Sequence, residues 1–158
     1  MHLSKELSGM LAKRPINDLQ EAIVNLINTH IKEKDFTYNK DLIFIKFLDK
    51  DDQICFTPNP GSHMIEEDYS GLQFWQYNYT FTVKTQHRAD AKNRLFEISE
   101  YLQLLNSTKE LVSEKDAWQF DHIEIPSAPA EIMEDLKGTA TYNMDVAVFV
   151  YQRRKTKW

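Results

Sequence analysis

The run Gly138–Lys155, GTATYNMDVAVFVYQRRK, keeps an extended, alternating pattern for about three times the five or six residues of an ordinary strand. That length predicts a strand that runs past its own sheet and offers backbone or a side-chain face to another molecule. Tyr142, Met144, Val146, Val148 and Val150 share one face and are expected to meet helices. Phe149 and Tyr151 on the other face, with Arg153, Arg154, Lys155 and Trp158 at the far end, form a candidate assembly interface. Nothing in the run looks catalytic, so a building block is a better reading than an enzyme.

A second long strand is expected at Leu72–Gln86. Trp75, Tyr77, Tyr79, Phe81 and Val83 line one face, and Gln76, Asn78, Thr80, Thr82 and Lys84 the other. Leu42–Leu48 is apolar except at Lys46 and reads as a covered central strand, with Gln53–Thr57 returning as its hairpin partner across Asp49–Asp52. Trp118 and Phe120 share a face while Ile123 and Ile125 fall on the opposite parity. A β-bulge near Asp121–His122 would produce that slip.

Two segments have helical period. Ile16, Leu19, Ile23, Leu26, Ile27 and Ile31 make one stripe over Ile16–Lys32; Ala91, Leu95, Ile98, Leu102 and Leu105 make another over Ala89–Leu105. His63–Ser70 and the acidic stretch Glu131–Asp135 show no period and read as exposed loops, and no internal repeat is visible. The expected architecture is α+β: an antiparallel or mixed sheet of about five strands with both helices on one face. Residues 1–14 read as an arm or short docking helix, because Gly9 weakens the stripe Leu3, Leu7, Met10 and Leu11; residues 15–158 read as one domain.

The 158 residues are 42% hydrophobic and 12% aromatic, the composition of a folded domain rather than a disordered tail. A net charge of −5 argues against nucleic acid as the primary ligand. No apolar run reaches membrane-spanning length, and Lys5, Glu6 and Lys13 interrupt any signal-peptide core. Cys55 is the only cysteine; between Ile54 and Phe56 it reads as a packed residue of a chain suited to a reducing cytosol. His63, Glu66, Glu67 and Asp68 lack the rigid spacing of metal ligands, and His122 with Glu124 lacks a third ligand. His87-Arg88-Ala89-Asp90 reads as the start of the second helix. Four glycines leave little from which to build a nucleotide-cradling loop, and no cofactor is implied. The aromatic row Trp75–Phe81 lacks the interleaved Arg and Lys of a single-strand binder.

The second half of the chain resembles a known family. LFEISEYLQLLNSTKEL followed by WQFDHIEIPSAPAEIMEDLKGTATYNMDVAVFVYQRRK is similar to the minor capsid and tail-terminator proteins of long-tailed bacteriophages and prophages. The matching positions are Ile98, Leu102, Trp118, Phe120, Ile123, Ile125, Pro129, Gly138, Tyr142, Asp145, Val146 and Val148, and the strand Trp75–Gln86 with its following helix also fits. The resemblance covers Leu72–Lys155 and is a pattern of core positions and loop lengths. It implies a non-enzymatic virion protein, assembled in the host cytoplasm, that forms a homohexameric ring on the last layer of the tail tube. Its partners would be the major tail protein and the head–tail connector, with DNA passing through the lumen as non-sticking cargo. Glu66, Glu67 and Asp68 are the candidate lumen-facing acidic loop; Glu131–Asp135 is a second possibility. The alternatives are a different head-completion adaptor, or a small cytosolic ligand-binding or enzymatic domain.

Overall fold

A computed structural model describes residues 17–46 and 50–154. Helix α1 (Leu19–Lys32) is followed by strands β1 (Ile54–Pro58), β2 (His63–Glu67) and β3 (Leu72–Thr85); helix α2 (Arg88–Thr108) is followed by β4 (Gln119–Glu124), β5 (Ala130–Glu134) and β6 (Ala140–Arg153). The fold is α+β, with six strands rather than five, and every pairing between them is antiparallel. The expected arm at residues 1–14 lies outside the described residues.

The two long strands form the spine. β3 and β6 pair along all of Leu72–Thr85, with Tyr79 opposite Val146 at the middle. β2 and β1 share the outer edge of β3; β4 and β5 share the outer edge of β6. The length of β6 is therefore used inside its own sheet, which corrects the expectation that it overruns it. It spans two shorter strands placed end to end on one side and a partner of equal length on the other.

Register sets which residues meet the helices. Trp75, Tyr77, Tyr79, Phe81 and Val83 lie opposite Val150, Val148, Val146, Met144 and Tyr142. These rows join Ile54 and Phe56 of β1 and Phe120 and Ile123 of β4 on a single face. Leu19, Ile23 and Ile27 of α1 and Leu95, Ile98, Leu102 and Leu105 of α2 close over that face in one core, each at most 1% exposed. Phe56 stacks on Tyr79 and packs at a tilt against Phe81, with ring centroids 4.7 and 4.5 Å away. The expected bulge is present, as the β4–β6 register slips between Phe120 and His122.

Two expected loops are strands. His63–Glu67 and Ala130–Glu134 pair as β2 and β5, and every residue of both is exposed. They extend the sheet beyond the helices, so neither of their faces is buried and no apolar period is written into them. Leu42–Leu48 fails the other way. Over its described part it makes one bridge, parallel rather than hairpin-like, between Phe44 and Cys55. Asn28 of α1 occupies both backbone groups of Ile43, donating to its carbonyl at 3.0 Å and accepting from its N–H at 2.8 Å, which removes the partners a ladder would need. Asn106 of α2 clamps Ile123 in the same reciprocal manner, at 3.0 and 2.7 Å.

The absence of an internal repeat is also corrected. β1-β2-β3 and β4-β5-β6 are the same three-stranded unit. Phe56 faces Phe81 as Ile123 faces Val148; His63 faces Gln76 as Ala130 faces Asn143. The β2 ladder shifts between Met64 and Glu66, and the β5 ladder at the equivalent place, between Glu131 and Met133. Each unit follows a helix, and exchanging the units leaves the central pair Tyr79–Val146 in place. The chain is thus a pseudo-two-fold pair of α-β-β-β units joined through β3 and β6.

Candidate assembly surfaces

The repeat places one β-hairpin at each end of the sheet, and their turns match. Ile65-Glu66-Glu67-Asp68-Tyr69-Ser70-Gly71 and Ile132-Met133-Glu134-Asp135-Leu136-Lys137-Gly138 share Ile, Glu, Asp and Gly in register. Asp68 Oδ1 accepts from the N–H groups of Ser70 and Leu72, at 2.8 and 3.0 Å; Asp135 Oδ1 accepts from those of Lys137 and Thr139, at 2.8 and 2.9 Å. Gly71 and Gly138 close the turns at φ 88° and 83°, where a Cβ would be strained. Hydrogen bonds from the Ser70 hydroxyl and the Leu72 N–H hold the Asp68 carboxyl below its ordinary range. The residue after each aspartate, Tyr69 or Leu136, is fully exposed.

Most of the acidic residues at these ends have partners within the chain. Glu67 accepts from Gln73 at 2.5 Å and pairs with Arg154 at 3.0 Å. Glu131 and Glu134 pair with Arg88 at the start of α2, at 2.7 and 3.1 Å. The Glu66 side chain has no hydrogen bond or ion pair among the described residues; like Glu67 it lies in β2 rather than in the loop expected from sequence. The end of β6 is equally engaged: Arg153 reaches Ser70, and the Arg154 N–H donates to the Gly71 carbonyl at 2.9 Å. Lys155 and Trp158 lie outside the described residues.

The face of the sheet away from the helices carries an aromatic group. Phe149 is 8% exposed, because His122 stacks on it at 4.2 Å and Phe74 lies 5.9 Å away; Tyr151 is half-buried against Phe74. Toward the middle of this face Asp145 accepts from Thr80 at 2.9 Å. Here Phe149 and Tyr151 are partly covered by their own chain, and what the face offers a neighbour is the rim of the group.

Other titratable clusters hold the fold together. His122 sits between Asp121, at 2.6 Å, and Glu124, at 3.4 Å, so an acidic residue that the sequence reading did not include joins the pair. His30, Glu33 and Asp35 come close enough to share a cation, a grouping the sequence reading did not single out; His30 Nδ1 lies 2.7 Å from Asp35. Glu97 accepts from the backbone N–H groups of Thr37, Tyr38 and Asn39 and fastens that loop to α2. Although burial would raise its pKa, those bonds hold the carboxyl below its ordinary range. Arg94, 4% exposed, donates to the Asp52 carbonyl at 2.7 Å. Cys55 is buried, as expected. No helix among the described residues is long and apolar enough to cross a membrane.

The Arg154–Glu67 pair predicts a modest effect. Both side chains are partly exposed, so Arg154→Ala should cost the whole domain no more than about 1 kcal/mol. It should nevertheless speed amide exchange in β2 while leaving β5 unchanged. Equal acceleration in both hairpins would show that the pair does not fasten this one.

No family model and no curated protein matches this chain.

Proposed function

We propose that this protein is a virion structural component, a tail-terminator or minor capsid protein that closes the phage tail tube as a homohexameric ring and joins it to the head connector. The observation that carries the reading is the duplicated unit with its two outward hairpins. A ring subunit must present lateral and end surfaces at once, and a sheet with matched projections at opposite ends supplies them. The resemblance of Leu72–Lys155 to tail terminators supports the same reading. On this proposal the chemistry is assembly rather than catalysis, and the protein resides in the neck of the virion.

Within the ring, DNA would pass a surface on which Glu66 is the acidic group left free to repel phosphate. The C-terminal segment contributes to docking from Lys155 onward, since Arg153 and Arg154 also hold the β2–β3 turn. The test is to add the purified chain to polymerising tail tubes of its own phage. Tubes should stop short in proportion to the amount added. Tubes that reach unchanged length would contradict the reading.

A further inference from the structure

We propose that the C-terminal end of α1 carries a metal site, in which His30, Glu33 and Asp35 bind one divalent transition-metal ion. The inference goes beyond the ring reading and does not depend on it.

The backbone brings the three residues together. Lys34 is left-handed, at φ 62°, and its N–H donates to the Ile31 carbonyl at 3.1 Å, while the Asp35 N–H donates to the His30 carbonyl at 3.0 Å. These two bonds close the helix and fold Asp35 back against the residue five positions earlier. One ring nitrogen of His30 and one carboxylate oxygen from each of Glu33 and Asp35 then lie within 4.8 Å of one another. Zinc holds nitrogen and oxygen donors at about 2.0–2.2 Å, so small rotations of the exposed Glu33 and Asp35 side chains close the set. The negative pole of the helix favours a cation at the same place.

Other groups hold the imidazole in position. Tyr101 of α2 packs on the His30 ring with centroids 4.7 Å apart, and Phe36 lies 6.4 Å away. Nδ1 faces Asp35 at 2.7 Å, and Nε2 faces Glu110 at 3.7 Å. With the ion on Nδ1, Glu110 stands on the side where the opposite N–H needs an acceptor, the arrangement that fixes ring tautomer and orientation at histidine-ligated metals.

The Tyr101 hydroxyl points to a ligand independently. Its oxygen is buried and has no hydrogen-bond partner among the described residues. Burial raises its pKa, and the nearby charges of Glu110, Asp35 and Glu33 raise it further, so the hydroxyl and these carboxylates share one region. A buried hydroxyl left unpaired is costly, and a water carried on the ion would donate to it.

His122 supplies an internal contrast. It also has two carboxylates, but Asp121 approaches Nδ1 at 2.6 Å and Glu124 approaches Nε2 at 3.4 Å, so the ring stands between them. The lysines that flank Glu33 do not compete for the donors. Lys32 and Lys34 line the cavity at Ile31 and Leu42 with Lys40, and neither forms an ion pair with Glu33 or Asp35 among the described residues.

Calorimetric titration of the chelator-treated full chain with Zn²⁺ tests the proposal. One ion should bind per chain, and saturation should raise the thermal unfolding midpoint. Glu33→Gln and Asp35→Asn should each weaken binding at least tenfold, His30→Gln should remove it, and His122→Gln should leave it unchanged. Circular dichroism checks each fold; Glu33 and Asp35 are exposed, so their variants test the site even where His30→Gln disturbs the packing on Tyr101. Three results overturn the proposal: no Zn²⁺ bound by the wild type, binding that survives all three ligand substitutions, or Ca²⁺ and Mg²⁺ bound as tightly as Zn²⁺. The last would mark an acidic surface in which the imidazole takes no part.

Discussion

Phe56→Ala is expected to cost about 3–5 kcal/mol, the range for removing a buried aromatic ring. The ring is 0% exposed and packed between Tyr79 and Phe81, so its loss leaves a cavity that the rigid β1–β3 ladder cannot close. Ile123 is its counterpart in the second unit, 2% exposed and opposite Val148. Ile123→Ala should therefore cost about 2–5 kcal/mol. Total stabilities run to roughly 5–15 kcal/mol, so either substitution consumes a large share. Because both units meet at the β3–β6 spine, each variant should unfold in a single transition by denaturant titration. Two separated transitions, with only one displaced, would show that the units fold independently and that the shared core is overstated.

The second large effect is at Asp18, just before α1. Its carboxylate accepts from the Ser113 hydroxyl at 2.8 Å, the Trp118 indole at 2.8 Å and the Glu114 N–H at 3.1 Å, tying α1 to the segment after α2. Asp18→Ala leaves a buried indole N–H without its acceptor and should cost about 2–3 kcal/mol. Burial alone would raise this carboxyl's pKa, but the hydrogen bonds outweigh it and the folded value lies below the ordinary 3.8. A lowered folded pKa means that this contribution is fully present above the unfolded value and is lost as pH falls through the folded one. Glu97 has the same sign, starting from 4.5. Thermal stability should thus decline as pH drops below about 4.5, and the decline should be shallower in Asp18→Asn. Parallel curves for wild type and variant between pH 5 and 2 would refute the assignment.

What the sequence makes legible follows from which residues are buried. The stripe from Ala91 to Leu105 is readable because α2 buries one face. The alternation from Trp75 to Val83 is readable because apolar residues fill one face of β3 and polar ones the other, although Thr80 and Thr82 are buried as well. The bulge at Phe120–His122 is readable because both sides of the slip carry core residues. β2 and β5 are not readable, since exposure of every residue removes the selection that writes a period. The duplication escapes for a related reason: most of its likeness lies in ladder register, where Phe56 corresponds to Ile123 and Gln76 to Asn143. Its one shared sequence pattern, Ile-x-Glu-Asp-x-x-Gly at Ile65–Gly71 and Ile132–Gly138, falls in two segments without an apolar period. Among surface residues, Phe149 illustrates the limit. Its parity places it correctly away from the helices, but its cover comes from His122 and Phe74, and only the register brings those beside it.

The central claim is that two joined α-β-β-β units make a ring subunit that closes a tail tube. Electron imaging of tube ends formed in the presence of this protein tests it most directly. The account predicts a closed ring of six copies seated on the terminal tube layer, with neighbouring subunits in contact through the hairpin ends. Bare tube ends, or copies scattered along the tube wall with no ring, would contradict it.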